Sequence, residues 1–321
     1  MNNAREPLAD LYCPMQQKLT ARERIERQKK DLRQERNATD LPLLQKLEAC
    51  GVDWNNRYPC RSPACFRCRY INIRKQQRET VALLGNHKNE DIAWVTVVLD
   101  ATSNIDGVAP IIAKSRQDTR NCFMSARRND PQWNETNLIA WHEIDAVGAH
   151  HLPLLPPKRK ALIPLLAPMS AQTILPTWVP TFHGLMLTNG LPVEEVALRF
   201  SKQWGHPHQV KVEMLNLRKK LLENLKCLAS YSNKFHTTVS LAGNRPNHKV
   251  KEPWSIAWES QYFGFLNSAY RNSFESLRMK IGRYDPAVEL DVCEQVEVLS
   301  PMPFIHDFTT YPMYNNTGLW R

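Results

Sequence analysis

Residues 92–99 read Ile-Ala-Trp-Val-Thr-Val-Val-Leu, a run of β-branched and aromatic side chains that is typical of a strand. Three further segments have the same character: 138–147, 182–187 and 209–215. Apolar residues recur at helical spacing in three other stretches: 109–128, 193–204 and 218–235. Four strands with helices between and after them predict one sheet in an α+β domain.

The composition indicates a folded chain with a polyanionic partner. Of the 321 residues 42% are hydrophobic, which is enough for a core, and the formal net charge is +10. Such a surplus favours nucleic acid or an anionic membrane surface. The most apolar stretch, 161–169, is broken by Pro164 and Pro168 and is too short to span a bilayer, and the first residues lack the order of a secretory signal. We therefore expect a cytoplasmic protein with no membrane partner.

A cysteine cluster near the N-terminus has the spacing of a metal site. Cys50, Cys60, Cys65 and Cys68 give C-x9-C-x4-C-x2-C, in which the close Cys65/Cys68 pair can bind from one turn. Four thiolates suit Zn²⁺ best, so we expect a structural zinc knot. The alternative is four reduced thiols without a metal.

The same region is strongly basic. Between residues 57 and 78 there are seven cations and no acidic residue. The seven are Arg57, Arg61, Arg67, Arg69, Arg74, Lys75 and Arg78. We expect this block to bind the phosphates of DNA.

The segment Cys60-Arg61-Ser62-Pro63-Ala64-Cys65-Phe66-Arg67-Cys68, followed by Arg74-Lys75, resembles the cysteine segment of certain rolling-circle plasmid replication initiators. These are the HUH endonucleases related to the initiators of staphylococcal chloramphenicol-resistance plasmids. The resemblance implies a central antiparallel sheet of the HUH type, flanked by helices. It also implies an order of motifs after the knot: a hydrophobic strand, an acidic strand, a histidine motif and a tyrosine helix.

The histidine motif corresponds to Trp178-Val179-Pro180-Thr181-Phe182-His183-Gly184-Leu185, which is similar to the family's W-H-P-H-x-H-x-L. His183 remains of the two ligand histidines, and Thr181 replaces the other on the same strand face. The resemblance makes Glu143 the acidic ligand, with Asp145 on the same face as a further candidate. This oxygen-rich set suits a catalytic Mg²⁺ or Mn²⁺. A rival histidine pair, His206 and His208, precedes a strand.

Tyr231 and Lys234 match the nucleophile helix of the family, in which a lysine follows the tyrosine by three residues. At that spacing the two side chains share a helix face, where the cation can stabilise the phenolate. In some relatives a glutamate four residues before the tyrosine activates water. That position is Cys227 here, so termination by hydrolysis is not expected.

These motifs suggest four regions along the chain. The capping-box pattern from Thr20 to Glu23 predicts a charged helix to about residue 37 within a basic arm, 1–40. The zinc knot and its flanking helices occupy 41–85, and the HUH-like nuclease domain 86–240, with a proline-rich insertion at 150–180. A helical extension is expected over 241–321.

The function implied by the resemblance is replication initiation on a plasmid. The enzyme would nick and rejoin single-stranded or extruded origin DNA through a 5′-phosphotyrosine, and host helicase and polymerase would be its partners. A transposase or a conjugative relaxase would share this chemistry. The competing class is a non-catalytic zinc-containing DNA-binding protein derived from such an enzyme.

Overall fold

The structure is a computed structural model that describes residues 26, 29–30, 41–51, 60–167, 175–232, 237–243, 249–269 and 274–282. The helices are α1 (Leu41–Gly51), α2 (Phe66–Leu84), α3 (Val108–Asn129), α4 (Pro157–Leu166), α5 (Val193–Gln203), α6 (Leu221–Ser232) and α7 (Ile256–Ala269). The strands are β1 (Ile92–Val98), β2 (Asn137–Val147), β3 (Thr177–Leu187), β4 (Val210–Met214), β5 (Thr238–Ala242), β6 (Lys249–Pro253) and β7 (Arg278–Ile281). None of the helices described is both long and apolar enough to cross a membrane.

Five strands form one antiparallel sheet in the order β4-β1-β3-β2-β7. Strand β3 lies at its centre and pairs with β1 from Thr181 to Leu187 and with β2 along its whole length. The expected α+β class, with a helix-flanked antiparallel sheet, is confirmed. Strands β5 and β6 form a separate two-stranded hairpin.

The sheet is covered by helices on both faces because its strands alternate two apolar sets of side chains. On one face Phe182 and Met186 of β3 pack with Phe123 of α3 and Phe200 of α5. On the other face Leu185 of β3 and Trp141 of β2 form a core with α2 and α6. We call this second surface the α6 face, and His183 shares it with Leu185, two residues along the strand.

A third core joins the N-terminal cysteines to the rest of the fold. It contains three of the four cysteines, the hairpin residues Val239 and Leu241, and the aromatic side chains of α7. Trp258 and Tyr262 are the α7 aromatics most directly involved, and Tyr262 stacks on Trp178 of β3. Trp258, Tyr262 and Leu266 follow one another at intervals of four residues, so one side of α7 faces this core.

The structure differs from the sequence-based expectations in three places. The segment 150–180, expected to be an insertion, contains α4 and the beginning of β3, because Leu162 and Ile163 anchor α4 to the core. The extension beyond residue 241 is not purely helical, since β7 pairs with β2 and completes the sheet. Of the helix predicted at residues 20–37 only 26, 29 and 30 are described, and these are helical.

Candidate functional site

The four N-terminal cysteines converge at one point. Their sulfur atoms all lie within 4.8 Å of one another, and Cys50, Cys65 and Cys68 are buried. The Sγ of Cys68 is 3.5 Å from that of Cys50 and 3.6 Å from that of Cys60, and Cys65 is 3.8 Å from Cys50. A tetrahedron with Zn–S bonds of about 2.3 Å has edges of about 3.8 Å. The four sulfurs therefore fit a zinc ion.

Backbone amides and turns prepare these sulfurs for a metal. The amide of Cys60 donates to Cys50 Sγ at 3.2 Å, and that of Arg61 donates to Cys68 Sγ at 3.3 Å. Hydrogen bonds from the other three thiols, together with the Cys60 amide, lower the pKa of the Cys50 thiol, whereas the contacts with Cys50 and Cys60, together with burial, raise the pKa of the Cys65 and Cys68 thiols. Donors directed at sulfur stabilise the thiolate, which is the form that binds zinc.

The local fold explains why the close pair faces one point. The chain turns at Ser62, where the amide of Cys65 donates to the Ser62 carbonyl at 3.0 Å. Cys65 occupies the N-cap position of α2, and Cys68 lies in the first turn of this helix. Residues three apart at the start of a helix lie on one side, so both sulfurs point to the site from one element.

The basic block divides between solvent and the core. Arg61, Lys75 and Arg78 are exposed, and Arg74 is half-buried. Arg57 and the side chain of Arg67 lie outside the described residues. Arg69 is only 5% exposed, with its guanidinium directed at the Pro63 carbonyl. The expectation that Arg69 binds DNA is therefore wrong.

The inward face of α2 explains the burial of Arg69. Asn72, Gln76 and Thr80 are buried as well, and they follow Arg69 at intervals of three and four residues. This spacing marks one side of a helix. Because these side chains are polar, apolar periodicity in the sequence does not reveal this buried face of α2.

His183 and Glu143 are in direct contact on the α6 face. The Nε2 of His183 lies 3.1 Å from Oε2 of Glu143, and each side chain is 12% exposed. Glu143 is opposite Thr181 in the β2–β3 register, so the diagonal neighbour His183 is within reach. The sequence predicted both residues, and the structure brings them together.

Two residues that the sequence analysis missed hold the His183 ring. Thr96 of β1 is opposite His183, and its hydroxyl is 3.0 Å from Nδ1. Trp94 stacks on the imidazole with a centroid distance of 5.6 Å and an angle of 9°. Thr96 and Trp94 lie on the same face of β1 because side chains alternate along a strand. Their contact with His183, however, depends on the register of β1 with β3, which the sequence does not show.

The other predicted ligands are placed less favourably. Thr181 lies two residues before His183 on the same face of β3 and is half-buried. Asp145 forms an ion pair with Arg159 of α4. A cation beside His183 would thus find one imidazole and one carboxylate, and Mg²⁺ commonly completes such a set with water and substrate phosphate.

The helix expected to carry the nucleophile covers this same face. Leu225 and Ala229 of α6 belong to the core that includes Trp141 and Leu185, the near neighbours of Glu143 and His183. Tyr231 lies in the last turn of α6. Its side chain and the whole of Lys234 lie outside the described residues. Cys227, one turn before Tyr231, is half-buried.

Two other histidine groups were considered as metal sites. His206 and His208 are exposed in the loop before β4. His150, His151 and Glu252 bring their ligand atoms within 4.8 Å of one another. However, Nδ1 of His151 accepts from the Gly148 amide, so in the neutral ring Nε2 carries the proton. That nitrogen points at Glu252 as a donor and is not available to a metal.

Comparison with protein-family models, with curated proteins and with solved structures finds no match to this chain in any of the three.

Proposed function

We propose that this protein is a DNA-nicking and DNA-joining enzyme of the rolling-circle initiator kind, with an HUH-type sheet. Its substrate is single-stranded or extruded DNA, and Tyr231 is its nucleophile. The observation that carries the proposal is the contact of His183 on central strand β3 with Glu143 on β2, on the sheet face that α6 covers. The strand motifs of His183 and Glu143 share one face of the sheet, and the helix predicted to carry the nucleophile packs on that face through Leu225 and Ala229.

The chemistry follows from the side chains on this face. A divalent cation bound by His183 and Glu143 would polarise the scissile phosphate. Tyr231 attacks the phosphorus, so that the bond from its oxygen to phosphorus forms and the bond from phosphorus to the 3′ oxygen breaks. The proton that the phenol loses balances the one that the 3′ oxygen gains. The energy of the broken ester is kept in the phosphotyrosine, which allows rejoining.

Thr96 and Trp94 position the imidazole for this task. The Thr96 hydroxyl can accept a hydrogen bond from Nδ1–H of His183, in contrast to the backbone amide that makes Nδ1 of His151 an acceptor. In that tautomer the lone pair of Nε2, which faces Glu143, would be available to a bound cation. Stacking on Trp94 fixes the plane of the ring. A ligand whose orientation is fixed in advance pays less conformational entropy on metal binding.

The cysteine knot has a structural role in this proposal. It lies in the core shared with α7 and the hairpin rather than in the core beneath α6. A Zn²⁺ ion there would fasten the start of α2 to the domain. The exposed Lys75 and Arg78 of this helix, and Arg61 just before it, would then bind DNA phosphates from fixed positions.

The decisive experiment traps the covalent intermediate. The full chain is incubated with a library of single-stranded oligonucleotides labelled at the 3′ end, because the fragment 3′ of the nick is the one that stays on Tyr231. The reactions contain Mn²⁺, Mg²⁺ or EDTA, and protein that retains label is separated under denaturing conditions. We expect an adduct with either cation and none with EDTA. Tyr231→Phe should abolish it, and Tyr70→Phe, which removes the same atom from α2, should not.

A second candidate is a DNA-binding protein that has lost catalysis. Thr181 in place of a histidine favours it, because the described ligand set is reduced to His183 and Glu143. Tight binding of oligonucleotides without an adduct under any cation would support this candidate and contradict the proposed enzyme.

A further inference from the structure

The β5–β6 hairpin presents two lysines on one side. Lys249 and Lys251 lie opposite Ala242 and Ser240 in its register and therefore share a face. The opposite face is anchored, since Val239 and Leu241 are buried in the core. Both lysines are exposed.

The other face of the hairpin fixes its position beside the main sheet. Glu252 of β6 lies 3.1 Å from Nε2 of His151, a buried residue just after β2. Val239 and Leu241 share their core with Ile144 and Val147 of β2. The two lysines are thus held by a packed element rather than by a mobile loop.

Two more cations come from separate elements beside the His183 site. Arg159 of α4 pairs with Asp145, two residues from Glu143 on the same strand face. Lys211 of β4 is opposite Thr96, the residue that hydrogen-bonds His183, and it pairs with Glu213. The row His183, Thr96 and Lys211 therefore crosses three neighbouring strands on the α6 face.

Arg159, Lys211 and Lys251 lie close enough to Lys249 for their charges to act on it. Although Lys249 is exposed overall, partial burial, and next the charges of Arg159, Lys211 and Lys251, lower the pKa of its ammonium. In the described ranges, Asp145 pairs with Arg159 and Glu213 pairs with Lys211. Like charges gathered from α4, β4 and β6 repel one another and destabilise the free protein.

We infer that Lys249, Lys251, Arg159 and Lys211 form a phosphate-binding clamp that holds a nucleic-acid strand across the His183 site. This inference rests on the proposed function for the identity of the ligand. Separate phosphates along one strand can engage the hairpin lysines and Lys211 together. Binding them would relieve the repulsion among the cations, and it would leave the strand next to the His183–Glu143 pair.

The clamp gives a role to two segments that the sequence left without one. Helix α4 lies in the proline-rich stretch, and the hairpin lies beyond the motifs of the nuclease domain. A single strand fits better than a duplex, because it can bend between the hairpin and the sheet while its phosphates remain accessible.

The test measures how binding of labelled oligothymidylate depends on salt, with the full zinc-loaded chain. Single-stranded DNA contributes a slope of about 0.7 in log K against log salt per phosphate contact, so Lys249→Ala/Lys251→Ala should reduce the slope by about 1.4. Lys249→Arg/Lys251→Arg keeps the charges and should keep the slope. Arg128→Ala/Lys202→Ala removes the same charge from α3 and α5 on the other sheet face and should leave it unchanged.

The outcomes separate this inference from the proposed function. An unchanged slope in the hairpin variant, or an equal reduction in the Arg128/Lys202 variant, would overturn the clamp. Loss of binding to phosphatidylserine vesicles with an unchanged oligothymidylate slope would assign the lysines to a membrane and overturn it as well. A reduced slope confined to the hairpin variant, in a protein that forms no covalent adduct, would support the clamp and contradict the enzyme.

Discussion

The cysteine cluster and the His183–Glu143 pair are built over different distances along the chain. The outermost cysteines, Cys50 and Cys68, are 18 residues apart and are brought together by a turn and the first turn of α2. Glu143 and His183 are 40 residues apart, and Thr96 is 87 residues from His183. The first site depends on local backbone, whereas the second depends on the register of three strands.

This difference decides which residues each site needs. Loss of one cysteine would take one sulfur from a set of four of which three are buried, and it would leave a metal with an incomplete set of ligands. Loss of a side chain that contacts His183 should disturb the sheet less, and its main effect should be on the orientation of one imidazole ring. We therefore expect mutations at the knot to act through folding, and mutations around His183 to act mainly through binding and chemistry.

The largest effect is expected at the knot. Purified protein should hold about one zinc per chain, and Cys65→Ser should lose it and lower the free energy of unfolding by more than about 4 kcal/mol, as happens when a structural metal is lost. Elemental analysis and urea denaturation measure the two quantities. Cys122→Ser, at a buried cysteine in α3, should keep the zinc. If protein without zinc is as stable as the zinc-loaded form, the cysteine cluster does not act through folding and the proposed difference between the two sites is wrong.

The next effect concerns His142, which precedes Glu143 and points to the opposite face. Burial, followed by the charge of Arg116, lowers the pKa of its imidazole to about 3. The unfolded chain binds a proton near pH 6.5 and the native state does not, so stability is lost as the pH falls from about 6.5 towards 3. The loss amounts to a few kcal/mol at about 1.4 kcal/mol per pKa unit.

Urea denaturation at several pH values tests this expectation. The native protein should lose more stability between pH 7 and pH 4 than His142→Gln, because the amide cannot take up the proton. His87→Gln, in an exposed loop, should show the slope of the native protein. Equal pH dependence in all three proteins would show that His142 does not set the acid stability of the sheet.

A smaller effect is expected at Gly184, directly after His183. A Cβ there would lie 2.7 Å from Cδ1 of Leu138 and 3.0 Å from Cβ of Ala140. Gly184→Ala should therefore push β2 from β3 and cost about 1–3 kcal/mol of unfolding free energy, as overpacking does. Gly205→Ala, whose Cβ would lie 3.9 Å from the Ser201 carbonyl oxygen, an ordinary van der Waals contact, is the matched control. Equal stability of the two variants would mean that the β2–β3 contact tolerates movement.

The smallest effect is expected at Thr96. Thr96→Val removes the hydroxyl that contacts His183 and should cost about 1 kcal/mol of unfolding free energy, a typical value for one hydrogen bond. Thr96→Ser keeps the hydroxyl and should be closer to the native protein. If the serine variant loses as much stability as valine, packing of the methyl group rather than the hydrogen bond positions the ring.

The sequence predicted much of this arrangement because its signals were local. The strands at 92–98, 137–147 and 210–214 lie within one residue of their predicted bounds at each end, since their alternation is visible in single stretches. The pair of Glu143 and His183 followed from the motif order and the period of a strand. Thr96 did not, because only the register of β1 with β3 makes it a neighbour of His183.

The features that the sequence did not predict also have physical causes. Strand β7 has four residues, too few for a periodic signal, and it joins the sheet through pairing with β2. Arg69 carries a charge that normally indicates solvent, yet helical spacing turns it inward with Gln76. Lys249 and Lys251 gain their significance from Arg159 and Lys211, which are distant in the chain.

The most direct test of the proposed site is the identity of the residue that carries the DNA phosphate. After adduct formation in Mn²⁺, nuclease and trypsin would reduce the product to a peptide bearing a 5′-phosphate, and mass spectrometry would locate it. Cleavage after Lys226 and Lys234 releases residues 227–234, which contain Tyr231 as their one tyrosine. We expect the phosphate on that peptide, and its location on another, such as one that contains Tyr262 or Tyr270, would contradict the assignment.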